Sequence, residues 1–288
     1  MTDETGGSRH LRWKTLITTR PGVTKGIPAG NEALSRVANS VTLIFGERDA
    51  CLVDTFLTAA QAAELVEWVA ANEKNLTTIY ITHAHGDHFF GLQALLERFP
   101  KARAIATPDV VRIMKQQISP EYVQSFWEKR FPGQLPDKLV IAEAMEGNRF
   151  ELEGHDLVVV EIGHTDTDKS TCLHVPSIGL VVAGDAVYNG IHPYLAESSQ
   201  RTRPEWLAAL DTIAALRPLS VIAGHKVPDG DDDPRHIEET RRYIQDFIRL
   251  NELTGTAREL YDQMLERYPD RLNPGALWAS AHAAKSSS

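Results

Sequence analysis

Short runs of apolar residues alternate along the chain with longer stretches in which apolar residues recur every three or four positions. The first pattern is typical of β-strands and the second of amphipathic helices. In the first half of the chain, Thr58 precedes one helical stretch as a capping residue, and Pro100 ends another. The pattern predicts strands over 41–45, 51–54, 77–82 and 103–107, and helices over 59–74, 89–100 and 108–117.

The second half continues this alternation, with strands that follow one another in hairpins as well as strands that lead into helices. Strands are predicted over 138–142, 148–152, 155–162, 170–175, 179–185 and 220–225, and helices over 203–216, 234–251 and 254–268. A mixture of hairpins and strand–helix pairs favours two packed sheets over one parallel sheet. The predicted fold is therefore of the α+β class, an αββα sandwich of two mixed β-sheets with helices on the outer faces.

The chain contains no internal repeat and no linker rich in glycine, proline or serine that would divide it. We therefore predict a single domain over residues 11–280. Residues 1–10 and 281–288 are small and polar in character, and we expect them to be flexible ends.

Composition narrows the choice of partners and location. The net charge of −9 argues against nucleic acid as a ligand, because such proteins usually carry a basic surface. The first ten residues lack the apolar segment of a secretory signal, and the apolar runs are far shorter than a membrane span. Cys51 and Cys172 are interpreted as buried thiols, with one disulfide as the alternative. The expected location is the cytoplasm, with no membrane partner.

Metal-ligating residue types follow directly after several of the predicted strands. One cluster comes after strand 77–82, and three single residues come after later strands; Asp185 and His225 are each preceded by glycine, which lets the backbone approach closely. Loops at strand ends are where sheet proteins place their ligands. The candidates are His83, His85, Asp87, His88, His164, Asp185 and His225.

Imidazole and carboxylate ligands suit zinc and related divalent ions. The set exceeds what one tetrahedral ion can use, but two ions sharing a bridging carboxylate would use all of it. Ions that keep a water ligand are catalytic rather than structural. The sequence therefore predicts two divalent metal ions, Zn²⁺ in the first place, with Mn²⁺, Fe²⁺ or Co²⁺ as alternatives.

The run "THAHGDH", residues 82–88, resembles the T-H-x-H-x-D-H signature of the metallo-β-lactamase fold hydrolases. "GHTDTD", "GDAVY" and "AGHK" follow in the order found in that family, so the resemblance extends to residue 226. It implies the αββα fold and a role for each candidate. A first metal is held by His83, His85 and His164, and a second by Asp87, His88 and His225, with Asp185 as the bridge.

Asp185 also separates branches within this family. The antibiotic-hydrolysing members typically lack an aspartate at this position, so the chain looks more like the glyoxalase II and lactonase branches. The resemblance implies a hydrolase in which a metal-bridging hydroxide attacks the carbonyl of a small ester, lactone or cyclic amide or carbamate. A glyoxalase II-like thioesterase is the alternative. A nuclease and a metal-binding protein without catalysis are alternatives of another class.

Catalytic assistance is expected from two residues. Asp87 would orient the nucleophile and carry a proton to the leaving group. Tyr188, three residues after the bridge, stands where lactonases of this family place a tyrosine, and could donate a hydrogen bond to a substrate oxygen. Asp54 is expected to bind the free N–H of a ligand histidine. Asp166 and Asp168 are interpreted as turn and cap residues.

The substrate is expected to be a small molecule held in a largely aromatic and apolar pocket. Residues 118–136 form either a lid over the site or a helix packed on the core. Of Phe89 and Phe90, one is expected in the core and one at the pocket rim. A homodimer is expected because related lactonases are often dimers. The pocket candidates are Phe90, Trp127, Ile191, His192, Tyr194 and Lys226.

Overall fold

The structure is a computed structural model that describes residues 10–286. Two β-sheets dominate it, a six-stranded sheet in the order β1-β2-β3-β4-β5-β6 and a five-stranded sheet in the order β12-β10-β9-β8-β7; β11 and β13 form a separate parallel pair. The strands are β1 (Arg12–Pro21), β2 (Arg36–Phe45), β3 (Asp49–Val53), β4 (Asn75–Tyr80), β5 (Arg103–Ala106), β6 (Glu143–Ala144), β7 (Arg149–Leu152), β8 (His155–Gly163), β9 (Ser170–Val175), β10 (Leu180–Val182), β11 (Tyr188–Asn189), β12 (Ser220–Ile222) and β13 (His225–Lys226).

Both sheets are mixed. In the six-stranded sheet β1, β2 and β3 pair antiparallel, whereas β3 to β6 pair parallel. In the five-stranded sheet β7 to β10 pair antiparallel and β12 joins β10 in parallel. Parallel neighbours need crossover connections, and helices provide several of them. The predicted α+β class with two mixed sheets is confirmed.

The helices lie between and after the strands, and side-chain caps fix several of their first turns. Thr58 and Gln61 form a capping box at the start of α1, and Thr107 caps α4. A π-helical turn, Val123–Trp127, lies between α5 and α6. The helices are α1 (Ala59–Ala70), α2 (Gly86–Phe89), α3 (Leu92–Arg98), α4 (Pro108–Gln117), α5 (Pro120–Tyr122), α6 (Glu128–Arg130), α7 (Arg203–Ala215), α8 (Arg235–Leu253), α9 (Ala257–Arg267) and α10 (Pro274–Ser286).

The core has three apolar layers, as an αββα sandwich requires. The middle layer joins the two sheets, with Val53 and Tyr80 of one sheet in the same cluster as Leu173 and Ile222 of the other. A second cluster packs α1, α3 and α4 on the six-stranded sheet, and a third packs α7 to α10 on the five-stranded sheet. No helix in the described range is both long enough and apolar enough to cross a bilayer.

Among the elements that differ from the prediction are β1, β6 and α10. Strand β1 was missed because it is an edge strand whose side chains are mostly half-buried or exposed. Residues 138–142 form no strand, because they pack apolar side chains on the core without pairing, and the strand comes later as β6. The predicted flexible end from residue 281 is wrong as far as residue 286, because α10 runs to Ser286 and buries Ala281 and Ala284. Residues 1–9 and 287–288 lie outside the described part of the chain.

Candidate metal centre

The predicted metal ligands come from segments that follow strands of both sheets. His83 and His85 lie in the turn after β4, and Asp87 and His88 lie in the short helix α2 that follows. Ligands from the other sheet follow β8 and β10, and His225 begins β13. The two sheets thus bring residues from distant parts of the sequence to one end of the sandwich.

One group of potential ligand atoms lies on His83, His85, Asp166 and Asp185, within 4.8 Å of one another. His85 Nδ1 is 2.8 Å and His83 Nε2 is 3.6 Å from Asp166 Oδ2. His83, Asp166 and Asp185 are buried, and His85 is half-buried. The arrangement is that of a site for one cation with mixed nitrogen and oxygen ligands.

A second group is formed by Asp87, His88 and His225, again within 4.8 Å. Asp185 connects the two groups, since its Oδ1 is 3.3 Å from His88 Nε2 and its Oδ2 is 3.1 Å from His225 Nε2. Asp185 thus belongs to the first group and contacts two histidines of the second. This is the position expected of a carboxylate that bridges two metal ions. The assignment of each residue to a metal stays a prediction.

His164 lies slightly apart from the first group. It is half-buried, its Nδ1 is 3.9 Å from Asp168 Oδ1, and its Nε2 is buried without a hydrogen-bond partner among the described residues. Asp166, which the sequence analysis interpreted as a turn residue, is instead a member of the cluster. The signal for it was a carboxylate two positions after a ligand histidine, which is too common to be decisive.

Unpaired buried atoms test whether this site fits metal ions. In native proteins almost all buried polar atoms have a hydrogen-bond partner, because leaving one unpaired costs about 1–3 kcal/mol. Within the described range, several buried unpaired atoms coincide with this one site. They are His83 Nε2, His88 Nε2, His164 Nε2, Asp166 Oδ2 and Asp185 Oδ1. Divalent cations would satisfy all of these atoms at once, so the donor set fits the predicted metals.

The electrostatics of the site favour ionised carboxylates. Burial alone would raise the pKa of Asp185, but His225 and His88 outweigh it and hold that pKa well below its usual value. The pKa of Asp87 is lowered in the same way by His88, His225 and Arg20 against the effect of burial. Burial lowers the pKa of His83, and the neighbouring His88 lowers it further. Burial would lower the pKa of His85, His88 and His225, but the neighbouring carboxylates outweigh it and raise the pKa of each. Metal binds ionised carboxylates and neutral imidazoles, so its binding would displace protons from these three histidines.

In several of the ligand histidines, the ring nitrogen that faces away from the centre is held by another group. Asp54 Oδ2 is 3.0 Å from His88 Nδ1, as expected from the sequence, and the same carboxylate accepts from the backbone and hydroxyl of Thr82. Glu197 Oε1 is 3.2 Å from His85 Nε2, and the carbonyl of Ala38 is 2.9 Å from His225 Nδ1. Such partners fix the ring orientation of metal-binding histidines.

Two glycines make room for the bridging residue. Gly184 has a φ of 52°, a left-handed conformation that disfavours other residues, and a Cβ there would lie 2.7 Å from the Thr82 hydroxyl. A Cβ at Gly224 would overlap Asp185 Oδ1. The glycines before Asp185 and His225 are therefore required by close packing of the centre, as the sequence suggested.

A cavity of about 480 Å³ opens above the centre, with Asp87, Asp185 and His225 in its lining. This size suits a small molecule. Of the predicted pocket residues, Trp127, His192 and Tyr194 line it, and so does Tyr188.

The other predicted pocket residues lie elsewhere. Phe89 and Phe90 are both fully buried, and Phe90 packs on Trp127 at a ring distance of 5.1 Å, so neither forms the rim. Ile191 is fully buried in the core of the five-stranded sheet's helical layer. Lys226 is 3% exposed and forms an ion pair with Asp232, so its charge is already neutralised. Of the predicted pocket residues, Phe90, Ile191 and Lys226 are thus not in the lining of the cavity.

Residues 118–136 pack on the core, as one of the two predictions had it, and they also line the cavity. Trp127 and Phe131 are buried in the apolar cluster under the six-stranded sheet and also line the cavity. Tyr122, Phe126 and Arg130 line the cavity from more exposed positions. Tyr122 and Phe126 stack with ring centres 5.0 Å apart. The segment is thus a cavity wall anchored in the core by two aromatic side chains.

The cavity lining also contains cationic side chains that were not predicted from the sequence. Arg20, at the end of β1, lies 3.6 Å from Asp87 Oδ2 and 4.9 Å from the centre of the Phe131 ring. Its Nε is buried and has no hydrogen-bond partner in residues 10–286. Lys25, Lys129 and Arg130 line the same cavity. Arg20 was missed because its strand was not predicted.

Comparison with known sequences decides the family. A sequence profile described as the metallo-beta-lactamase superfamily matches residues 34–225, about two thirds of the chain. The chain belongs to the metallo-β-lactamase superfamily. The predicted membership is confirmed, and with it the coarse function, since members of the superfamily are metal-dependent hydrolases.

Solved structures of this superfamily share the fold. A metallo-beta-lactamase family protein from Thermus thermophilus aligns with a TM-score of 0.60 at 22% identity, covering 93% of this chain and 91% of that one. A metallo-beta-lactamase from Pontibacter korlensis aligns with a TM-score of 0.59 at 17% identity, covering 82% of this chain and 99% of that one. At these identities the likeness shows the fold alone.

Among characterised relatives, a hydroxyacylglutathione hydrolase (glyoxalase II) from Actinobacillus pleuropneumoniae serotype 5b is 30% identical over 83 residues. The match covers 29% of this chain and 34% of the relative, so the chain spans about a third of that relative's length. The similarity is weak, but it falls on the glyoxalase II-like side of the superfamily that Asp185 indicated.

Replacing Asp54 with asparagine is expected to weaken metal binding by about 10- to 100-fold, the usual effect of removing the partner of a ligand histidine. Asparagine tolerates the left-handed backbone at this position, where φ is 63°, but it puts an amide N–H₂ against His88 Nδ1 or Thr82. Competition with a chelator measures the affinity. Asp156→Asn, an exposed change on β8, is the control. Unchanged affinity in Asp54→Asn would show that Asp54 does not support His88.

Proposed function

We propose that this chain is a binuclear metal-dependent hydrolase. Its substrate is a small ester, lactone, cyclic amide or cyclic carbamate, in which water attacks the carbonyl carbon and the bond from that carbon to the leaving oxygen or nitrogen breaks. The observation that carries the proposal is the position of Asp185. Its carboxylate lies between two ligand groups, within 3.3 Å of His88 and His225, at the base of a cavity large enough for a small substrate.

Zinc is the proposed metal, because imidazoles and carboxylates suit it, and manganese, iron or cobalt would fit the same donors. When bound, a pair of such ions lowers the pKa of water from about 15.7 towards about 7 and polarises the substrate carbonyl. No serine or cysteine nucleophile is needed. Burial raises the pKa of Cys51 and raises that of Cys172 to about 12, so neither thiol ionises near neutral pH.

Asp87 is proposed to orient the attacking water and to carry its proton to the leaving group. One carboxylate oxygen of Asp87 is 2.9 Å from Asn39 Nδ2 and 3.7 Å from His225 Nε2, and the side chain lines the cavity. Hydrolysis adds water across the bond, so the leaving oxygen or nitrogen must gain a proton when the bond to carbon breaks. A carboxylate with access to the cavity is placed to deliver that proton.

Tyr188 acts on the centre through its hydroxyl and its ring. The hydroxyl donates to Asp185 Oδ2 at 2.9 Å, and the ring stacks on His225 at 5.4 Å. Burial raises the pKa of Tyr188 well above its ordinary value, and the charge of Asp185 raises it further, so the phenol stays protonated. In this position Tyr188 holds the bridging carboxylate in place. To contact a substrate oxygen, as the lactonase resemblance implies, the hydroxyl must leave Asp185.

Tyr188→Phe keeps the ring on His225 and removes only the hydroxyl. A hydrogen bond to a charged group contributes about 1.5–3 kcal/mol, so we expect kcat to fall by about 10- to 100-fold with two metal ions retained. Steady-state kinetics and metal analysis on the same sample check this. An unchanged kcat would remove Tyr188 from the catalytic account, and loss of a metal ion would make it a structural residue.

The cationic lining favours a substrate with an acidic group. Arg20 is the most enclosed of these side chains, since burial lowers its pKa although Asp87 raises it, and its Nε lacks a partner among the described residues. A carboxylate on the substrate could pair with Arg20 while its carbonyl lies over the centre. Guanidinium groups bind carboxylates through two parallel hydrogen bonds.

Arg20→Gln is expected to raise KM by about tenfold for substrates with a carboxylate, because a charge-assisted hydrogen bond contributes at least about 1.4 kcal/mol. The KM of neutral substrates should change little. Arg12→Gln, an exposed change on the same strand, is the control. Equal effects of Arg20→Gln on acidic and neutral substrates would contradict a role in recognition.

A glyoxalase II-like thioesterase is the second candidate, favoured by the 83-residue match to a hydroxyacylglutathione hydrolase. The C-terminal helices offer it little support, because Arg241 is already paired with Glu238 and Asp211. A nuclease or a non-catalytic metal-binding protein has no specific observation in its favour.

The experiment that tests the proposal is metal analysis of the purified protein beside a panel of lactones, esters, thioesters and β-lactams, with and without a chelator. We expect chelator-sensitive hydrolysis of oxygen or nitrogen acyl compounds, and a preference for thioesters would favour the second candidate. A metal-containing protein that hydrolyses no member of the panel would contradict the proposal.

We also propose that the protein is a homodimer and lies in the cytoplasm. Light scattering tests the homodimer, and fractionation of cells tests the location.

A further inference from the structure

The loop after β8 carries Asp166, a carboxylate near the metal centre to which the family resemblance assigns no role. Asp166 is fully buried, although buried carboxylates are rare unless they are paired or bind a metal. Its Oδ1 accepts a hydrogen bond from the Thr165 hydroxyl at 2.9 Å, whereas its Oδ2 has no hydrogen-bond partner in the described part of the chain. One oxygen of this carboxylate is therefore held by its own loop, and the other lies against histidines of the site.

The free oxygen faces the two histidines of the first ligand group. Asp166 Oδ2 forms an ion-pair contact with His85 Nδ1 at 2.8 Å and lies 3.6 Å from His83 Nε2. The opposite ring nitrogens are occupied, with His83 Nδ1 3.0 Å from the Thr82 hydroxyl and His85 Nε2 3.2 Å from Glu197. Three potential ligand atoms therefore converge, and the opposite atom of each side chain contacts another group. Ligands of a single metal ion are oriented in this way.

The loop itself is tied down on both sides of Asp166. The Thr165 hydroxyl also lies 2.7 Å from the Ser170 hydroxyl, and the Thr167 hydroxyl donates to Glu197 Oε2 at 2.9 Å. Glu197 is the same residue that contacts His85, so the loop and the histidine share a partner. The position of Asp166 is therefore set together with that of His85.

We propose that Asp166 is a ligand of the first metal ion, beside His83 and His85. The inference rests on the proposed binuclear function, because it adds a ligand to one of the two sites. With Asp185, it gives the first site two carboxylates. Carboxylate oxygen suits manganese and other hard ions, so this site should discriminate less between zinc and manganese than one built from imidazoles.

Asp166→Asn tests the assignment, with Asp156→Asn, an exposed change on β8 away from the predicted ligands, as the control. Binding of zinc and manganese to the metal-free proteins is measured by chelator competition, and the visible spectrum of each cobalt-loaded protein reports the ligands. We expect at least about 10-fold weaker binding of one of the two ions, a larger ratio of zinc to manganese affinity and a changed cobalt spectrum in Asp166→Asn only.

Wild-type affinity at both sites with an unchanged cobalt spectrum in Asp166→Asn would overturn the Asp166 assignment and leave the binuclear function intact. A wild-type protein that binds no metal would overturn both. A crystal structure of the zinc-loaded wild type does not depend on how the variant folds. We expect an ion about 2.0–2.2 Å from Asp166 Oδ2, and a distance beyond about 3 Å would overturn the assignment.

Discussion

Asp185→Asn is expected to lower hydrolytic turnover by more than about 100-fold and to leave fewer than two tightly bound metal ions per chain. Changes to residues that merely support a ligand cost about 10- to 100-fold, and Asp185 contacts ligands of both groups directly. Asparagine keeps the size of the side chain but removes its charge, which two histidines of the site require as a counter-charge.

Metal content and kcat measured on the same preparation check this expectation, with Asp211→Asn as an exposed control. The variant leaves the buried imidazoles without their counter-charge, which could destabilise the fold. Its circular dichroism spectrum shows whether the fold survives. Retention of two ions and of wild-type turnover would mean that Asp185 does not bridge a catalytic centre.

Removing the metals is expected to lower Tm by roughly 10 °C or more. An ion at 1,000 times its Kd adds about 4.1 kcal/mol to the stability of the folded chain, and each kcal/mol raises Tm by about 2–4 °C in a domain of 150–250 residues. Without metal, the buried atoms His83 Nε2, His88 Nε2 and Asp166 Oδ2 lack partners. Thermal unfolding with and without a chelator measures the shift.

The control for this measurement is Asp185→Asn, in which the same chelator should shift Tm by much less because fewer ions are bound. Zinc added back to the wild type should restore its Tm. A Tm that the chelator leaves unchanged in the wild type would show that the centre holds no metal in the folded chain.

The residues of the metal centre were easier to predict from the sequence than those of the pocket, because the ligands are marked by the residues next to them in the chain. Predicted ligands such as His83, Asp185 and His225 come just after apolar strands. The apolar run marks the end of a strand, and a histidine or aspartate that follows it marks a candidate ligand. Pocket residues carry no such signal. Lys226 follows a ligand yet is turned to Asp232, because β13 alternates its side chains and His225 takes the face towards the centre.

The errors in the fold have the same origin. β1 mixes polar and apolar residues because it is an edge strand, and α10 is rich in small residues that give little periodic contrast. Missing β1 meant missing Arg20, the cation nearest to Asp87. Asp166 was assigned to a turn because only the folded chain shows that its carboxylate is buried against His85.

The central claim, that two metal ions at this centre perform the hydrolysis, is tested most directly by titrating metal-free wild-type protein with zinc. Bound zinc and hydrolysis of the best substrate from the panel are measured at each step. The account predicts no significant turnover without metal and maximal turnover at two ions per chain. Full turnover in the metal-free protein, or a maximum reached with a single ion, would contradict it.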